Sequence, residues 1–369
     1  MKRTADCLVI GGGIIGMLTA RELAAAGQEV MIVDKGHLGG ESTWAGGGIL
    51  SPLYPWRYPA PVTALASWGQ RHYPSLIDTL RETTGIDPQW EPSGLLILDT
   101  DEAAEALQWA RAHGRDLVQI DRAKLQRLEP GLGPRTERAL WMPQVAHVRN
   151  PRLIKALRRA LEMMGVRLCE GVSVNELLCV GDRTRGARTS AGCISAPQVV
   201  VAGGAWSASL VTGLGLETGI EPVRGQMLLF AARPGVVRRI VMQGGRYLIP
   251  RRDGHVLAGS TVEYVGFDKS VTRAARLSLH EAALNLVPAL GGFPVEAHWA
   301  GLRPGNRDGL PLIGAVPGME GLYINSGHFR NGVVLGPGSA RMLAQIMGGQ
   351  PVSVADPDPF RPERSCVPA

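Results

Sequence analysis

The sequence has no C-x-x-C pair, and its five cysteines, Cys7, Cys169, Cys179, Cys193 and Cys366, are odd in number and widely spread. This argues against a disulfide framework and against a zinc site, and it fits a reducing compartment. No apolar run approaches the ~20 residues that span a bilayer. The start, MKRTADCLVIGGG, carries no signal-peptide cleavage signature, because its apolar stretch runs straight into glycines. A cytoplasmic location is expected, with no integral membrane segment. Low-complexity tracts and internal repeats are also missing. Charge is unremarkable in distribution: 39 Lys and Arg stand against 33 Asp and Glu, net +6. The densest basic group, Arg251 and Arg252, is too small for a nucleic-acid footprint. The charge therefore reads mainly as solvation, with a few arginines reserved for anions.

What the chain has in quantity is glycine, 48 of 369 residues. Its length predicts two domains, at ~100–200 residues each. Cys7 to Ile10 is a short apolar run, readable as a buried strand. Gly11-Gly12-Gly13-Ile14-Ile15-Gly16 follows, then a helix over Met17 to Ala26 that Gly27 stops. Glu29 to Val33 is a second strand with Asp34 at its end. This is G-x-G-x-x-G in its required setting. Gly11 serves the tight turn, Gly13 lets backbone approach a pyrophosphate, and Gly16 lets helix pack on strand. The helix N-terminus offers free N–H groups and a positive dipole end. Asp34 suits a ribose diol and disfavours a 2′-phosphate.

The motif alone does not separate FAD from NAD. Further along, Ser42 and Thr43 can donate hydroxyls to phosphate, and Gly46, Gly47 and Gly48 allow backbone to lie against a flat ring. The chain then enters Ser51 to Pro59, which is neither strand nor helix, instead of another strand–helix unit. It has no second G-x-G-x-x-G, which a flavoprotein using NAD(P)H would carry. FAD as sole cofactor fits better.

The remaining pattern predicts helices over Ala64 to Thr84, Asp101 to His113, Pro151 to Met164, Ala274 to Leu290 and Gly332 to Met347. Strands are predicted at Leu95 to Leu98, Val166 to Leu168, Val172 to Val174, Val199 to Val201 and Leu322 to Asn325. Met227 to Phe230, Tyr247 to Pro250 and His255 to Ala258 read as an antiparallel sheet, with Asp253-Gly254 as a hairpin signal. The expected fold class is α/β: a discontinuous Rossmann-like FAD-binding domain (1–86, 150–218 and 300–369) with an α+β substrate domain built on an antiparallel sheet (87–149 and 219–299).

The segments VIGGGIIGMLTARELAAAG, ESTWAGGGILSPLYPW, VVVAGGAWS, VRGQML, YLIPRRDGHVLAGST, HWAGLRPGNRDGLPLIG and GHFRNGVVLGPGSA stand in this order over nearly the whole chain. In them the sequence resembles the glycine oxidases, within the D-amino-acid oxidase and sarcosine oxidase group. The resemblance implies non-covalent FAD, since the sarcosine oxidases' flavin-bearing cysteine is replaced here by Gly301 and Leu302, and Cys366 lies in the tail. It implies a cofactor set of Gly11, Gly13, Ile14, Ile15, Gly16, Asp34, Lys35, Ser42, Thr43, Gly46, Gly47, Gly48, Ile49, Val174 and Gly203. His328, Phe329, Arg330, Asn331, Gly332, Val333 and Val334 complete that set. Asp34 departs from the glutamate common in such flavoproteins.

A substrate carboxylate wants the planar fork of an arginine. Arg303 is the candidate, with Tyr247 and Arg330 beside it as catalytic and substrate-binding residues. Val262 is a further substrate-contacting candidate, and Met242 and the 53–61 loop are expected to line the pocket. Glu263 and Asp308 read as surface or turn residues, so no acid–base dyad and no metal site are expected. His328 is weighed as a base and set below a structural role.

The resemblance implies oxidation of glycine, sarcosine and small D-amino acids. Dioxygen becomes hydrogen peroxide, the product is an imino acid that hydrolyses, and the activity serves thiamine thiazole synthesis. The expected partners are a small amino acid and O2, with no nucleic acid; a homo-oligomer stays open. Two other readings remain: a dehydrogenase of the same architecture feeding a quinone, and a flavin domain of an RNA-modification protein.

Overall fold

The computed structural model describes residues 3–134, 136–365 and 367–368. Two large sheets organise it. The first has six strands in the order Leu312–Ala315, Leu322–Ser326, Gln198–Val201, Cys7–Ile10, Val30–Val33 and Arg167–Cys169. All neighbours are parallel except the first pair. Its central strands are continuous apolar runs, CLVI and VMIV, buried throughout. That is the pattern of strands covered on both faces.

The second sheet has eight strands, in the order Val295–Asn306, Ile220–Phe230, Val256–Gly259, Arg246–Pro250, Ile240–Gln243, Leu95–Leu98, Arg138–Met142 and Val118–Asp121. Its one parallel pair joins Ile240–Gln243 to Leu95–Leu98. The strand read at Met227 to Phe230 is longer, Ile220–Phe230, because a ladder with Val295–Asn306 extends it back through the polar Arg224 and Gln226. That partner strand passes through residue 300 without a break.

A third sheet escaped the sequence pattern: Val174–Val180, Arg183–Thr189 and Gly192–Ser195. Its middle strand, RTRGART, is rich in arginine and holds a glycine, so its β signal is weak. Two helix ends also differ. The helix expected from Ala64 begins at Ala60, directly after Pro59. The helix expected to reach Leu290 stops at Leu286, and Pro288 opens a 3-10 turn instead, as a ring without an N–H would require.

The helices Ile14–Ala25, Ala60–Thr84 and Gly332–Met347 pack together over the first sheet. Gly69 makes this possible, since a Cβ there would overlap the Val334 carbonyl. Tyr73 completes the contact by donating its hydroxyl to the Val333 carbonyl at 2.6 Å. Among the described residues no helix is long and apolar enough to cross a membrane.

Candidate functional site

A cavity of about 310 Å³ opens where the two large sheets meet, and residues from both sheets and their connecting loops line it. One part is the first βα turn. Gly11 has φ +109°, and a Cβ on it would overlap the Ala202 carbonyl. A side chain is therefore excluded twice, by conformation and by space. Gly16 allows the helix to cross the turn, for a Cβ there would overlap the Gly11 carbonyl. A Cβ at Gly13 would meet only Thr43 Oγ1 at 3.5 Å. The cavity therefore has open backbone at the head of the Ile14–Ala25 helix, where Ile14 N donates to Thr43 Oγ1 at 3.0 Å and the other first-turn N–H groups have no partner within the helix.

Asp34 lies at the end of its strand and accepts from Gly12 N at 2.7 Å and Gly36 N at 2.8 Å. These bonds orient the carboxylate without exhausting its acceptor capacity. Lys35 Nζ lies 3.3 Å from the centre of the Trp206 ring. Burial lowers the Lys35 pKa. A dinucleotide fits this donor set: glycine-bounded space, a helix N-terminus, and a carboxylate at the neighbouring strand end.

The Gly46–Gly48 loop is held from behind. Asn150 Nδ2 donates to the carbonyls of Thr43 at 2.6 Å and Gly46 at 3.0 Å. Trp299 Nε1 donates to Ala45 O at 3.1 Å, Arg251 Nη2 to Gly47 O at 2.9 Å, and Val148 N to Gly48 O at 2.9 Å. Gly48 has φ +78° and packs so closely that a Cβ would overlap the Val148 carbonyl. With its carbonyls tied down, the loop is a rigid wall for a flat ring.

The reactive end gathers Tyr247, Arg303 and Arg330. Arg303 sits on the long strand opposite Val223. Its Nη1 donates to Thr261 O at 3.1 Å and its Nη2 to Ser260 Oγ at 2.9 Å. Each of these nitrogens keeps a second N–H. Burial lowers the Arg303 pKa, the Tyr247 hydroxyl opposes this, and the Arg330 cation adds to it. Space for the guanidinium comes from Gly225, where a Cβ would overlap it. Arg330 has a buried Nη2 without a partner. Among the described residues neither arginine forms an ion pair. Two unpaired cations in one cavity are a site for an anion. Tyr247 is 7% exposed, and its hydroxyl donates to Met227 Sδ at 3.5 Å.

His328 lines the cavity but is locked. The Ser339 hydroxyl donates to Leu335 O at 3.0 Å, so the ring donates from Nε2 to Ser339 Oγ at 2.9 Å. Burial pushes its pKa down to about 3, so the ring is neutral at ordinary pH. The last helix starts at Gly332 just beyond it, and its positive end faces the cavity through Gly332 and Val333.

Most residues singled out by sequence line this cavity: Gly11, Gly13, Ile14, Ile15, Asp34, Lys35, Ser42, Thr43, Gly46 to Ile49, Val174, Gly203, Phe329 and those just described. Gly16, Asn331 and Val334 do not; they shape the turn and helix behind it. Val262 lies outside and is 42% exposed, because the chain has left the sheet after Gly259. Met242 is wholly buried in the core on a strand away from the cavity. Of the 53–61 loop, only Leu53 reaches the wall.

Two charged residues have partners that only the fold reveals. Arg251 is 8% exposed and braces Gly47, Val148 and His147. Burial pushes its pKa down to about 9. Glu263 accepts from Arg224, from Gln226 at 2.9 Å and from Thr261, the residue whose carbonyl holds Arg303. Gly225, Met227, Trp206 and Asn150 carry site roles that the sequence reading assigned to none of them. Only Gly225 and Met227, within VRGQML, and Trp206, within VVVAGGAWS, lay in segments it had marked. The described cysteines Cys7, Cys169, Cys179 and Cys193 stand away from the cavity wall, and Cys366 lies outside the described residues.

Residues 6–346 match the family model described as FAD dependent oxidoreductase. The chain is 49% identical over 356 residues to glycine oxidase of Pseudomonas aeruginosa, covering 96% of this chain and 98% of that protein. The crystal structure of glycine oxidase from Geobacillus kaustophilus is similar with a TM-score of 0.92 at 30% identity, over 98% of each chain. The bifunctional protein ThiO/ThiG of Synechocystis is 30% identical over 362 residues, 96% of this chain but 53% of that longer protein.

Proposed function

Because the chain belongs to the FAD-dependent oxidoreductase family, we propose that its cavity oxidises glycine, and also sarcosine and small D-amino acids. Glycine, dioxygen and water become glyoxylate, ammonia and hydrogen peroxide, through an imino acid that hydrolyses in solution. FAD, held without a covalent link, would supply the two-electron acceptor, with dioxygen as the final oxidant.

One observation carries this reading: Arg303 and Arg330 face the same cavity as Tyr247, and among the described residues neither forms an ion pair with a carboxylate. A substrate carboxylate completes that set. Arg303 receives it with the N–H groups left over from Ser260 and Thr261, and the Tyr247 hydroxyl adds a further donor by turning its proton from Met227 Sδ to the substrate. Met227 and Tyr247 stand with Gly47 on the cavity wall and take up space there with large side chains. This favours a substrate with little or no side chain.

No base is needed once the amine is neutral, and the described residues of the cavity offer no free one. Asp34 is engaged with backbone, Glu41 with Lys269 at 2.9 Å, and His328 with Ser339. Positioning of the C–H bond then supplies most of the acceleration. The ThiO/ThiG relative supports a place in thiamine thiazole synthesis as part of the same reading.

The test is peroxide formation in air with glycine, sarcosine, D-alanine, D-proline and longer N-substituted glycines. Glycine and sarcosine should lead. Dye reduction without peroxide would instead establish a quinone-linked dehydrogenase.

A further inference from the structure

A second cavity, about 140 Å³, lies behind the segment that follows the glycine loop. Ser51 fronts both cavities, and Pro52 and Pro55 face this one. Its other walls come from the Ala60–Thr84 and Ala103–Ala112 helices and from the turn after Met142. Neither cofactor nor substrate of the proposed reaction uses it.

Its polar groups are unusual in being unpaid by protein partners. Thr63 is 4% exposed, yet its Oγ1 has no hydrogen-bond partner. Trp109 Nε1 is buried and equally unpartnered. Arg115 is partly buried and forms no ion pair among the described residues. Its Nη2 donates to Ser67 Oγ, whose own proton goes to the Thr63 carbonyl at 2.6 Å. Burial lowers the Arg115 pKa, and the nearby Arg71 cation lowers it further. The single acid on the wall, Asp116, already accepts from Gln144 Nε2 at 2.8 Å. Two arginines against one carboxylate leave the cavity positive.

Unsatisfied buried donors and an unpaired guanidinium are costly. They persist in a cavity when something outside the chain satisfies them. The rest of the wall is apolar: Pro52, Pro55, Ala66, Met142 and Val145. A bare inorganic anion would use the donors and leave that surface wet. We propose that this cavity is a binding site for a small organic carboxylate. The acid group meets Arg115 and Arg71, with the Trp109 N–H and the Thr63 hydroxyl as further donors. The hydrocarbon body lies on the proline and methionine wall.

Benzoate is a suitable probe, titrated calorimetrically into the FAD-loaded protein. Binding should persist in Arg303→Met, which disables the flavin cavity, and weaken at least tenfold in Arg115→Met. Trp109→Phe keeps the packing and removes one donor, so it should weaken binding several-fold and carries the test should Arg115→Met not fold. The opposite pattern, loss in Arg303→Met with full binding in Arg115→Met and Trp109→Phe, would place benzoate in the flavin cavity and overturn the proposal. Inorganic phosphate binding as tightly as benzoate would overturn the organic part of it.

Discussion

The Arg251 guanidinium donates to the Gly47 carbonyl at 2.9 Å, across 204 residues of sequence. The same side chain donates to Val148 O at 2.9 Å and to His147 Nδ1 at 3.0 Å. A buried cation thus fixes the wall against which the flavin ring is proposed to lie. Arg251→Met leaves two carbonyls and an imidazole nitrogen unsatisfied. The expected loss is about 3 kcal/mol of stability, with FAD affinity falling at least tenfold. Flavin fluorescence titration and thermal unfolding of the apoprotein read the two effects. Wild-type FAD affinity in this variant would remove the bracing role.

Arg303→Ala should leave FAD bound and lower kcat/KM for every carboxylate substrate by ~100-fold, the worth of about 3 kcal/mol in charge-assisted hydrogen bonds. Gly225→Ala should imitate it. The added methyl overlaps the Arg303 guanidinium and displaces it, without removing any donor. Steady-state kinetics on glycine and sarcosine check both. Unchanged KM in Gly225→Ala would show that Arg303 has room to move.

Stability should fall with acid over a defined window. Burial pushes His147 and His328 down to about 3 from an ordinary 6.5. The unfolded chain then binds protons that the folded one refuses. Stability is therefore fully present above pH 6.5 and is lost as pH falls from there towards 3. Each histidine contributes up to about 2 kcal/mol of loss by pH 5. His328→Gln preserves a donor for Ser339 but does not titrate. Its melting temperature should vary less between pH 7 and pH 5 than that of the wild type. Parallel pH profiles would contradict the assignment.

Glu263 acts at lower pH. Burial works to raise its pKa, but bonds from Thr261, Arg224 and Gln226 outweigh it and hold the carboxyl below its ordinary value of 4.5. Its contribution is present above that value and lost as pH falls through the depressed one. Glu263→Gln should raise the KM for glycine several-fold near neutrality, because Thr261 then holds Arg303 less firmly, with kcat changed less. A fall in kcat alone would point elsewhere.

Gly69→Ala tests the helix packing beneath the site. Its Cβ would overlap the Val334 carbonyl, one residue from the Tyr73 contact at Val333. Overpacking of this kind costs about 2–3 kcal/mol, or ~3–4 °C in melting temperature for a chain of this length. Calorimetry of the holoprotein measures it directly.

The dinucleotide turn was legible in the sequence because its constraints are local. Gly11, Gly13, Gly16 and Asp34 lie within 24 residues, and each answers to a spacing or a φ angle that neighbouring residues impose. Central strands such as VMIV were legible for a related reason: burial on both faces writes an unbroken apolar run. Arg303 stood out through its family segment. Tertiary structure alone decided which way side chains face. Strand alternation separates two faces but does not say which one borders a cavity, so Met242 does not reach the pocket expected for it, and Val262 misses it because the chain leaves the sheet after Gly259. It also decided which charges are tied into the site, with Arg251 buried and Glu263 partly exposed. Arg251 and Glu263 look like surface residues in the sequence because their partners, Gly47 and Arg224, are 204 and 39 positions away. A hydrogen bond closed by the fold leaves no local signature in the chain that makes it.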